Sequence, residues 1–214
     1  MITLTAEIEI NGKVIPLNNK RIISISANSF DRSDITRPSY GIISNTGELE
    51  FNDFDSEFLN YANQRLLTSD LPVSIFLNNT LYKTTRQQIG KFQTRSWNYD
   101  NNNRRVSVSL KDDLEEWQDI PIVGISYDPI YNEATSMRSY YGILYSKTPN
   151  KYQMLPFREL DEKTQLILQE TTIQYKILKD GSLWEQWRKL CEVCALYIYK
   201  NREGKTVCTY TYGS

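Results

Sequence analysis

The chain has 214 residues, with 25 Lys and Arg against 26 Asp and Glu, and it contains no histidine. The near-neutral charge argues against a dedicated nucleic-acid coat protein, which would be strongly basic. The lack of histidine removes the commonest general base, the usual catalytic-triad member and the commonest zinc ligand. A hydrophobic content of 40% predicts a folded chain, and its length suits one large domain or two small ones.

The sequence has no visible targeting or membrane segment. Its first residues lack the basic and apolar regions of a signal peptide, and no apolar run reaches the roughly 18–20 residues of a membrane span. Cys191, Cys194 and Cys208 are an odd number of cysteines, which fits reduced thiols better than a disulfide framework. We therefore expect a soluble protein that is made in a cytoplasm.

The first half of the sequence has the pattern of antiparallel strands. Apolar and polar residues alternate from Ile2 to Ile10, and Asn11-Gly12 then provides the two positive-φ residues of a type I′ hairpin turn. Further strand-like segments, separated by turn residues, are Arg21–Ala27, Glu48–Phe51, Val73–Leu77, Ile89–Tyr99 and Arg104–Leu110. Short strands at this spacing predict a small barrel or sandwich.

One helix interrupts these strands. Apolar residues recur at helical spacing from Phe58 to Leu66, and either Asp55 or Ser56 can cap the helix before them. Residues 1–120 are therefore predicted to form an antiparallel β-barrel or sandwich with one helical insertion.

The pattern changes near Ile120-Pro121, where we place a domain boundary. A helix is predicted over Asn132–Tyr145 and one or two strands over Gln165–Leu178. Ser182 and Glu185 form a capping box at the start of a helix whose apolar face continues to Cys194, and two short strands follow. Residues 121–214 are thus predicted as a smaller α+β domain that ends in a strand, a helix and a hairpin, which makes the whole chain α+β.

Two groups of carboxylates could carry chemistry. Asp53-x-Asp55-x-Glu57 imitates the start of a calcium loop, but the loop would need Gly and Glu where Phe58 and Gln64 stand. An acidic first turn of a helix is the favoured interpretation.

The second group of carboxylates is Asp112, Asp113, Glu115, Glu116 and Asp119. A glycosidase needs two carboxylates that face each other across a cleft, so a solvated face, with Asp112 or Asp113 capping a short helix, is favoured.

The cysteines and the basic residues also have two interpretations each. Cys191-x-x-Cys194 could be half of a metal site or a redox pair. Against a metal site, only Cys208 remains as a further ligand. Against a redox pair, the two cysteines lie at the end of their helix, where the helix N-terminus cannot lower the pKa of the thiols. Buried small residues are therefore favoured, and we predict no metal and no cofactor.

A basic and aromatic hairpin could bind single-stranded nucleic acid, although solvated strand faces fit the net charge better. Its residues are Arg86, Lys91, Arg95, Arg104 and Arg105 with Phe92, Trp97 and Tyr99.

Tyrosines near the end of the chain are the candidate contact residues. Tyrosine is enriched at protein interfaces because it combines a large contact area with a polar group, although strands also favour it. The last predicted strand, Thr206–Tyr212, could pair with another chain if it lies at a sheet edge. The candidate oligomer interface comprises Tyr197, Tyr199, Tyr210 and Tyr212.

Two stretches resemble bacteriophage tail proteins, particularly tail-hub and baseplate proteins. The first runs from Ser39 to Asp53, and the second combines a strand at Ile173–Leu178, a helix at Ser182–Cys194 and the hairpin around Gly204. The resemblance implies a β-barrel whose edges pair between neighbouring subunits. It also implies a trimeric ring at the end of the tail tube, around the channel through which DNA leaves. Hub proteins are longer than this chain, so its position in the tail stays open.

We therefore predict a non-enzymatic structural component of a phage tail, of hub, baseplate or tip type. Its expected partners are further copies in a ring, for which a trimer is one form, and other tail proteins, with DNA or a host surface glycan as further contacts. We expect it in the virion tail, after synthesis in the host cytoplasm. The alternatives are a carbohydrate-binding or glycan-cleaving tail-tip module that uses Asp112, Asp113 or Glu116, and a small phage protein that inhibits a host factor.

Overall fold

The computed structural model describes residues 2–28, 40–79, 85–122, 135–173 and 181–210. The chain divides into two compact units. Unit 1 contains Met1–Asp31, Asn45–Asp112 and Arg202–Gly204, and unit 2 contains Arg32–Ser44, Asp113–Asn201 and Lys205–Ser214. Both units are discontinuous in sequence.

Strands prevail in the first part of the chain and helices in the second. The strands are β1 (Ile2–Ile10), β2 (Lys13–Leu17), β3 (Ile22–Asn28), β4 (Gly41–Ile43), β5 (Thr46–Asn52), β6 (Pro72–Asn79), β7 (Thr85–Asp100), β8 (Arg105–Lys111), β9 (Pro121–Ile122), β10 (Thr135–Ser136), β11 (Thr172–Ile173), β12 (Gly181–Ser182), β13 (Tyr197–Lys200) and β14 (Thr206–Thr209). The α-helices are α1 (Glu57–Asn63), α2 (Met137–Lys147), α3 (Glu162–Glu170) and α4 (Leu183–Cys194). Short 3-10 helices occupy Asp113–Gln118, Asn150–Tyr152 and Phe157–Glu159. The predicted α+β class is confirmed.

Unit 1 is built on one antiparallel sheet of seven strands in the order β2-β1-β6-β7-β8-β5-β3. The turn between β1 and β2 is the predicted one, with φ of 51° at Asn11 and 75° at Gly12. The predicted form was a barrel or a sandwich, and among the described residues no pairing joins β2 to β3, so a closed barrel is not found. Alternation of apolar residues indicates that one face of each strand is buried, but it does not indicate whether the two outer strands pair and close the sheet.

The core of unit 1 lies on one face of this sheet, beneath α1. The ring of Phe58 on α1 packs edge-on against Phe51 of β5, with 4.6 Å between the ring centroids. The buried cluster consists of the alternate apolar positions that the sequence pattern indicated, together with Phe58: Ala6, Ile8, Ile10, Ile15, Leu17, Leu49, Phe51, Val73, Ile75, Phe92, Val106, Val108 and Leu110. The strand prediction for the first half therefore also identified the core.

Unit 2 packs three α-helices with a three-stranded sheet in the order β14-β13-β4. The antiparallel hairpin β13–β14 and the capping box that begins α4 are both confirmed. Glu185 N donates to Ser182 Oγ at 3.2 Å, and Ser182 N donates to Glu185 Oε2 at 2.9 Å. The core of this unit centres on Trp117, Tyr141 and Trp187.

The strands predicted over Gln165–Leu178 are the largest error in unit 2. Residues 162–170 form α3, and only Thr172–Ile173 is described as a strand, while 174–178 lie outside the described residues. The Asp161 side chain accepts a hydrogen bond from Thr164 N at 2.9 Å and caps the helix. Thr164 and Leu168 are buried one turn apart. Capping and helical spacing therefore override the β-branched composition of this segment.

The helix predicted over Asn132–Tyr145 is confirmed as α2, which begins at Met137 and ends at Lys147. Ser136 caps it by accepting a hydrogen bond from Ser139 N. The first residues of the predicted helix, 132–134, lie outside the described residues.

Candidate contact surfaces and predicted sites

Tyr197 and Tyr199 lie on the same face of the three-stranded sheet of unit 2. Ile198 between them is fully buried in the core, whereas both tyrosines are half-buried. Because side chains alternate along a strand, the two tyrosines point away from this core. Tyr197 is opposite Thr209 and Tyr199 is opposite Val207 in the antiparallel register. We call Tyr197, Tyr199 and Val207 the tyrosine face, whereas the Thr209 side chain is buried and donates to Asp161 Oδ2 at 3.2 Å.

A further aromatic ring extends the tyrosine face. The ring of Tyr40, just before β4, lies 5.3 Å from that of Tyr197 between centroids, at an angle of 48°. Partial burial raises the pKa of Tyr197, and the neighbouring Tyr40 adds to this effect. The Tyr197 phenol therefore stays neutral near pH 7 and keeps both its hydrogen-bond donor and its acceptor.

Tyr210, another of the candidate contact residues, does not lie on this face. Tyr210 packs against the core of unit 2, and its ring lies 4.1 Å from Lys163 Nζ. Its backbone N donates to Thr164 Oγ1 at 3.2 Å, which ties the end of the hairpin to α3. Tyr212 lies outside the described residues. The structure thus brings together two of the four predicted residues.

The edge of β14 is partly occupied. This strand is last in its sheet, as the edge hypothesis required, but the segment 153–155 pairs with its beginning. Leu155 N donates to Thr206 O at 3.0 Å, and Thr206 N donates to Gln153 O at 3.1 Å. Backbone pairing with another chain at β14 is therefore restricted to the residues after Thr206.

Asp53, the first carboxylate of the calcium-like motif, has a structural role in unit 1. It is fully buried, and its carboxylate accepts hydrogen bonds from Phe58 N, Leu59 N and Tyr99 Oη at 3.2, 3.0 and 3.1 Å. The acidic turn of a helix is confirmed, and Ser56, one of the two predicted caps, stands at the N-cap position. Its φ is 58° and its side chain makes no capping bond. Tertiary folding lets Asp53 reach α1 from the end of β5.

The second acidic group is also engaged in structure. Asp112 is buried and accepts a hydrogen bond from Asn45 N at 2.5 Å. Lys200 Nζ lies 2.8 Å from Asp113 Oδ1, and Glu116 Oε2 accepts from Tyr152 Oη at 2.8 Å. Burial raises the pKa of Asp113, which the nearby Lys200 ammonium partly opposes. Each of these carboxylates is bonded to a fixed protein group, as in structural ion pairs.

The three cysteines are buried free thiols in the core of unit 2. Burial raises the pKa of Cys191 well above its ordinary value and that of Cys194 to about 12. Thiols with such pKa values stay protonated and are poor nucleophiles or metal ligands. The interpretation as small buried residues is confirmed. Among the described residues, no cluster of three or more potential metal ligands occurs.

The basic and aromatic hairpin of β7 and β8 directs its rings inwards. Phe92 is buried, Trp97 Nε1 donates to Thr68 O, and Tyr99 bonds to Asp53. Arg86 forms an ion pair with Glu7, and Arg105 forms one with Glu50. Rings held in this way do not form a stacking platform for bases.

The comparisons with known proteins concern the fold. No family model and no curated protein matches the sequence. A tail protein from Neisseria meningitidis MC58 superposes with a TM-score of 0.54 and 11% identity, over 96% of this chain and 50% of that one. The 43 kDa tail protein of prophage MuSo2 from Shewanella oneidensis gives 0.52 and 11%, over 96% of this chain and 52% of that one. The chain shares its fold with part of these two tail proteins. The resemblance seen in the sequence is confirmed at this level.

This tail-protein fold extends through nearly all of the chain, but the chain spans only about half the length of the two solved tail proteins. No helix within the described ranges is both long and apolar enough to cross a membrane.

The strand order of the large sheet also shows which of its described strands are outermost, namely β2 and β3, and the sequence did not predict this. The sequence contains one signal of an outer strand, since β2 includes Pro16 and proline is found in edge strands. The strand β3 has neither proline nor a charged residue, so its composition does not indicate its position in the sheet. The meaning of such signals depends on knowing which strands lie at the edges, and local patterns do not contain that information.

Proposed function

We propose that this chain is a non-enzymatic structural component of a phage tail, of hub, baseplate or tip type. The observation that carries this proposal is the fold shared with two tail proteins over 96% of the chain. We further propose a two-domain organisation, assembly of copies into a ring, contacts with other tail proteins, and a location in the virion tail after synthesis in the host cytoplasm.

The placement of the reactive side chains supports a role in assembly. The carboxylates that a glycan-cleaving module would use are bonded to backbone, lysine or tyrosine groups, and the thiols are buried. Catalysis needs a group whose proton or electron pair is available to a substrate. In a structural role, the same carboxylates stabilise the fold through these hydrogen bonds and ion pairs, and the thiols fill the core.

The contact surface that we propose for the ring includes Tyr197, Tyr199, Tyr210 and Tyr212. The half-buried rings of Tyr197 and Tyr199 are the best placed of the four, because they point away from the core of unit 2. Aromatic residues of this kind contribute a large area at a small entropic penalty when an interface forms.

Replacing both Tyr197 and Tyr199 by serine is expected to weaken self-association at least about tenfold, equivalent to about 1.4 kcal/mol. The measurement is sedimentation velocity over a range of concentrations. Tyr145→Ser is the matched control, since Tyr145 is an exposed tyrosine on α2. Equal effects of both variants would contradict a specific role for the tyrosine face.

The location in the tail has a direct test. Purified particles of the phage that carries this gene are expected to contain the chain, and immunogold labelling should place it at one end of the tail. An abundant chain in infected cells that is absent from intact particles would refute the proposed function.

A further inference from the structure

The two outer strands of the large sheet are consecutive in the chain. β2 ends at Leu17 and β3 begins at Ile22, so only residues 18–21 connect them, although five other strands lie between them in the sheet. In a flat sheet, with strands about 4.8 Å apart, the two outer strands would lie about 29 Å from each other. A connection of this length spans at most about 18 Å. The sheet is therefore strongly curled, and its outer strands approach each other at this connection.

The connection between the two outer strands is a tight turn. Arg21 N and Ile22 N donate to Asn18 O at 3.0 and 3.1 Å. Lys20 N donates to the side chain of Asn18, at Oδ1, at 3.0 Å. Arg21 O accepts from Asn52 N at 2.8 Å, next to the pairing of β3 with β5. Backbone hydrogen bonds therefore fix Arg21 at the start of β3.

One carboxylate lies between the two outer strands. It belongs to Glu57, the first residue of α1. Its Oε1 lies 3.3 Å from Lys13 Nζ at the start of β2, and its Oε2 lies 3.7 Å from Arg21 Nη1 beside the start of β3. We call these three side chains the Glu57 bridge. Among the described residues no backbone pairing joins β2 to β3, so the bridge connects two strands that the sheet leaves unpaired.

The Glu57 carboxylate is held on a fixed helix. Tyr61 Oη, one turn further along α1, donates to Glu57 Oε1 at 3.0 Å. The ring of Phe58 is buried against Phe51, and the carboxylate of Asp53 accepts from two backbone N–H groups of α1. Because these contacts position α1 without Glu57, the bridge restrains the outer strands rather than the helix.

The charges of the Glu57 bridge are unequally exposed. The side chains of Arg21 and Glu57 are 18% and 27% exposed, whereas that of Lys13 is 67% exposed. Arg21 also forms an ion pair with Asp55, in the loop before α1. Ion pairs near the surface contribute little to global stability, and dissolved salt screens them. We therefore expect the bridge to govern local opening of the outer strands and to respond to salt.

We infer that the Glu57 bridge is an ionic lock, which keeps β2 and β3 closed around α1 and releases them at high ionic strength. Release opens the two outer strands locally, while the central strands, each paired on both sides, stay in place. Strands that are paired on one side only have fewer hydrogen bonds to lose, so they open at a lower free energy than the centre of the sheet. The lock belongs to unit 1 alone and does not depend on the proposed tail role.

Amide hydrogen exchange of the isotope-labelled full chain, followed by NMR, tests the ionic lock. Glu57→Gln keeps the shape of the side chain and removes its charge. At low salt it is expected to speed the exchange of residues 13–22, relative to the amides of β7, at least about threefold. At about 1 M salt, where the Debye length is about 3 Å, the wild type should exchange as fast as Glu57→Gln, and the variant itself should change little.

Glu50→Gln is the matched control for Glu57→Gln. Glu50 forms an ion pair with Arg105 at 3.5 Å, and its side chain is 31% exposed. The two strands that this ion pair joins, β5 and β8, already pair through their backbones. Loss of the Glu50 charge is therefore expected to leave the exchange of residues 13–22 unchanged.

Lys13→Met tests one half of the bridge. It removes the cation on β2 and is expected to speed the exchange of Ile15 and Leu17, which pair with β1, and to make their exchange insensitive to salt. Lys13 is exposed, so this variant is expected to fold, and it decides the matter if Glu57→Gln unfolds.

The outcomes that overturn the ionic lock are specific. They are equal exchange of residues 13–22 in the wild type and Glu57→Gln at low salt, equal acceleration by Glu50→Gln, and wild-type exchange that does not respond to salt. Each is measured on the purified chain. Absence of the chain from phage particles would refute the proposed function and leave the lock unaffected, so the two failures are distinguishable.

Discussion

Replacing Lys200 by methionine is expected to destabilise the protein by about 3 kcal/mol, the lower end for a buried ion pair, because the Asp113 carboxylate, which is 20% exposed, loses its cation. The Lys200 side chain is only 6% exposed, and its Nζ lies 2.8 and 3.1 Å from the two oxygens of Asp113. It also donates to Tyr152 O at 2.8 Å. Urea denaturation followed by tryptophan fluorescence measures the loss.

The comparison variants define what the Lys200 result means. Lys147→Met changes an exposed lysine at the end of α2 and is expected to alter the unfolding free energy by at most about 0.5 kcal/mol. A double variant, Lys200→Met with Asp113→Leu, should recover much of the lost stability, since no unpaired charge remains. Similar losses for Lys147→Met and Lys200→Met would contradict the buried ion pair.

The pH dependence of the Lys200 variant has a definite sign. Burial raises the pKa of Asp113 in the folded state, and Lys200 opposes this rise. A raised folded pKa contributes stability below the unfolded pKa, and this contribution is lost as pH rises through the folded pKa. Without Lys200 the pKa of Asp113 rises further. The stability deficit of Lys200→Met should therefore be largest near neutral pH and shrink as pH falls toward the ordinary Asp pKa of about 3.9.

Replacing Trp187 by alanine is expected to remove about 3–5 kcal/mol of stability, because it opens a cavity in the core of unit 2. Trp187 is fully buried, and its ring centroid lies 5.1 Å from that of Tyr141 and 6.0 Å from that of Trp117. Its Nε1 donates to Thr148 Oγ1 at 3.0 Å, so the variant also leaves a buried hydroxyl without this donor. Urea denaturation and the near-ultraviolet circular dichroism signal report the change.

Trp184 provides a control on the same helix. It is only partly buried, so Trp184→Ala should be clearly less destabilising than Trp187→Ala. If the two losses were equal, the packing of α4 through its Trp187 face would be refuted.

Features that depend on neighbours in sequence could be predicted from the sequence. The Asn11-Gly12 turn needs two positive-φ residues, and the capping box of α4 joins groups three positions apart. Features that combine distant segments could not be predicted in this way. Asp53 caps α1 from the preceding strand, and β4 pairs in parallel with β13 although more than 150 residues separate them. No local pattern reports such pairings.

The candidate contact surfaces divide in the same way. Composition identified Tyr197 and Tyr199 as candidates together with Tyr210 and Tyr212, and the strand register of the structure places the first two on one face. Only the tertiary structure separated Tyr210 from them, by packing it against the core beside α3. The outer position of β3 in the large sheet also became visible only in the tertiary structure, because it depends on pairing with segments from elsewhere in the chain.

By itself, the sequence determined the alternation of buried residues along most strands of unit 1, where the β1–β2 turn lies and how α4 begins. Hydrophobic periodicity and capping are local properties, and they act within a few residues. The tertiary structure alone decided that the large sheet is open, which strands lie at its edges and which tyrosines share a face. These properties follow from backbone pairing and side-chain packing between segments that are distant in sequence. The same local pattern is compatible with many such pairings, so it does not predict which of them forms.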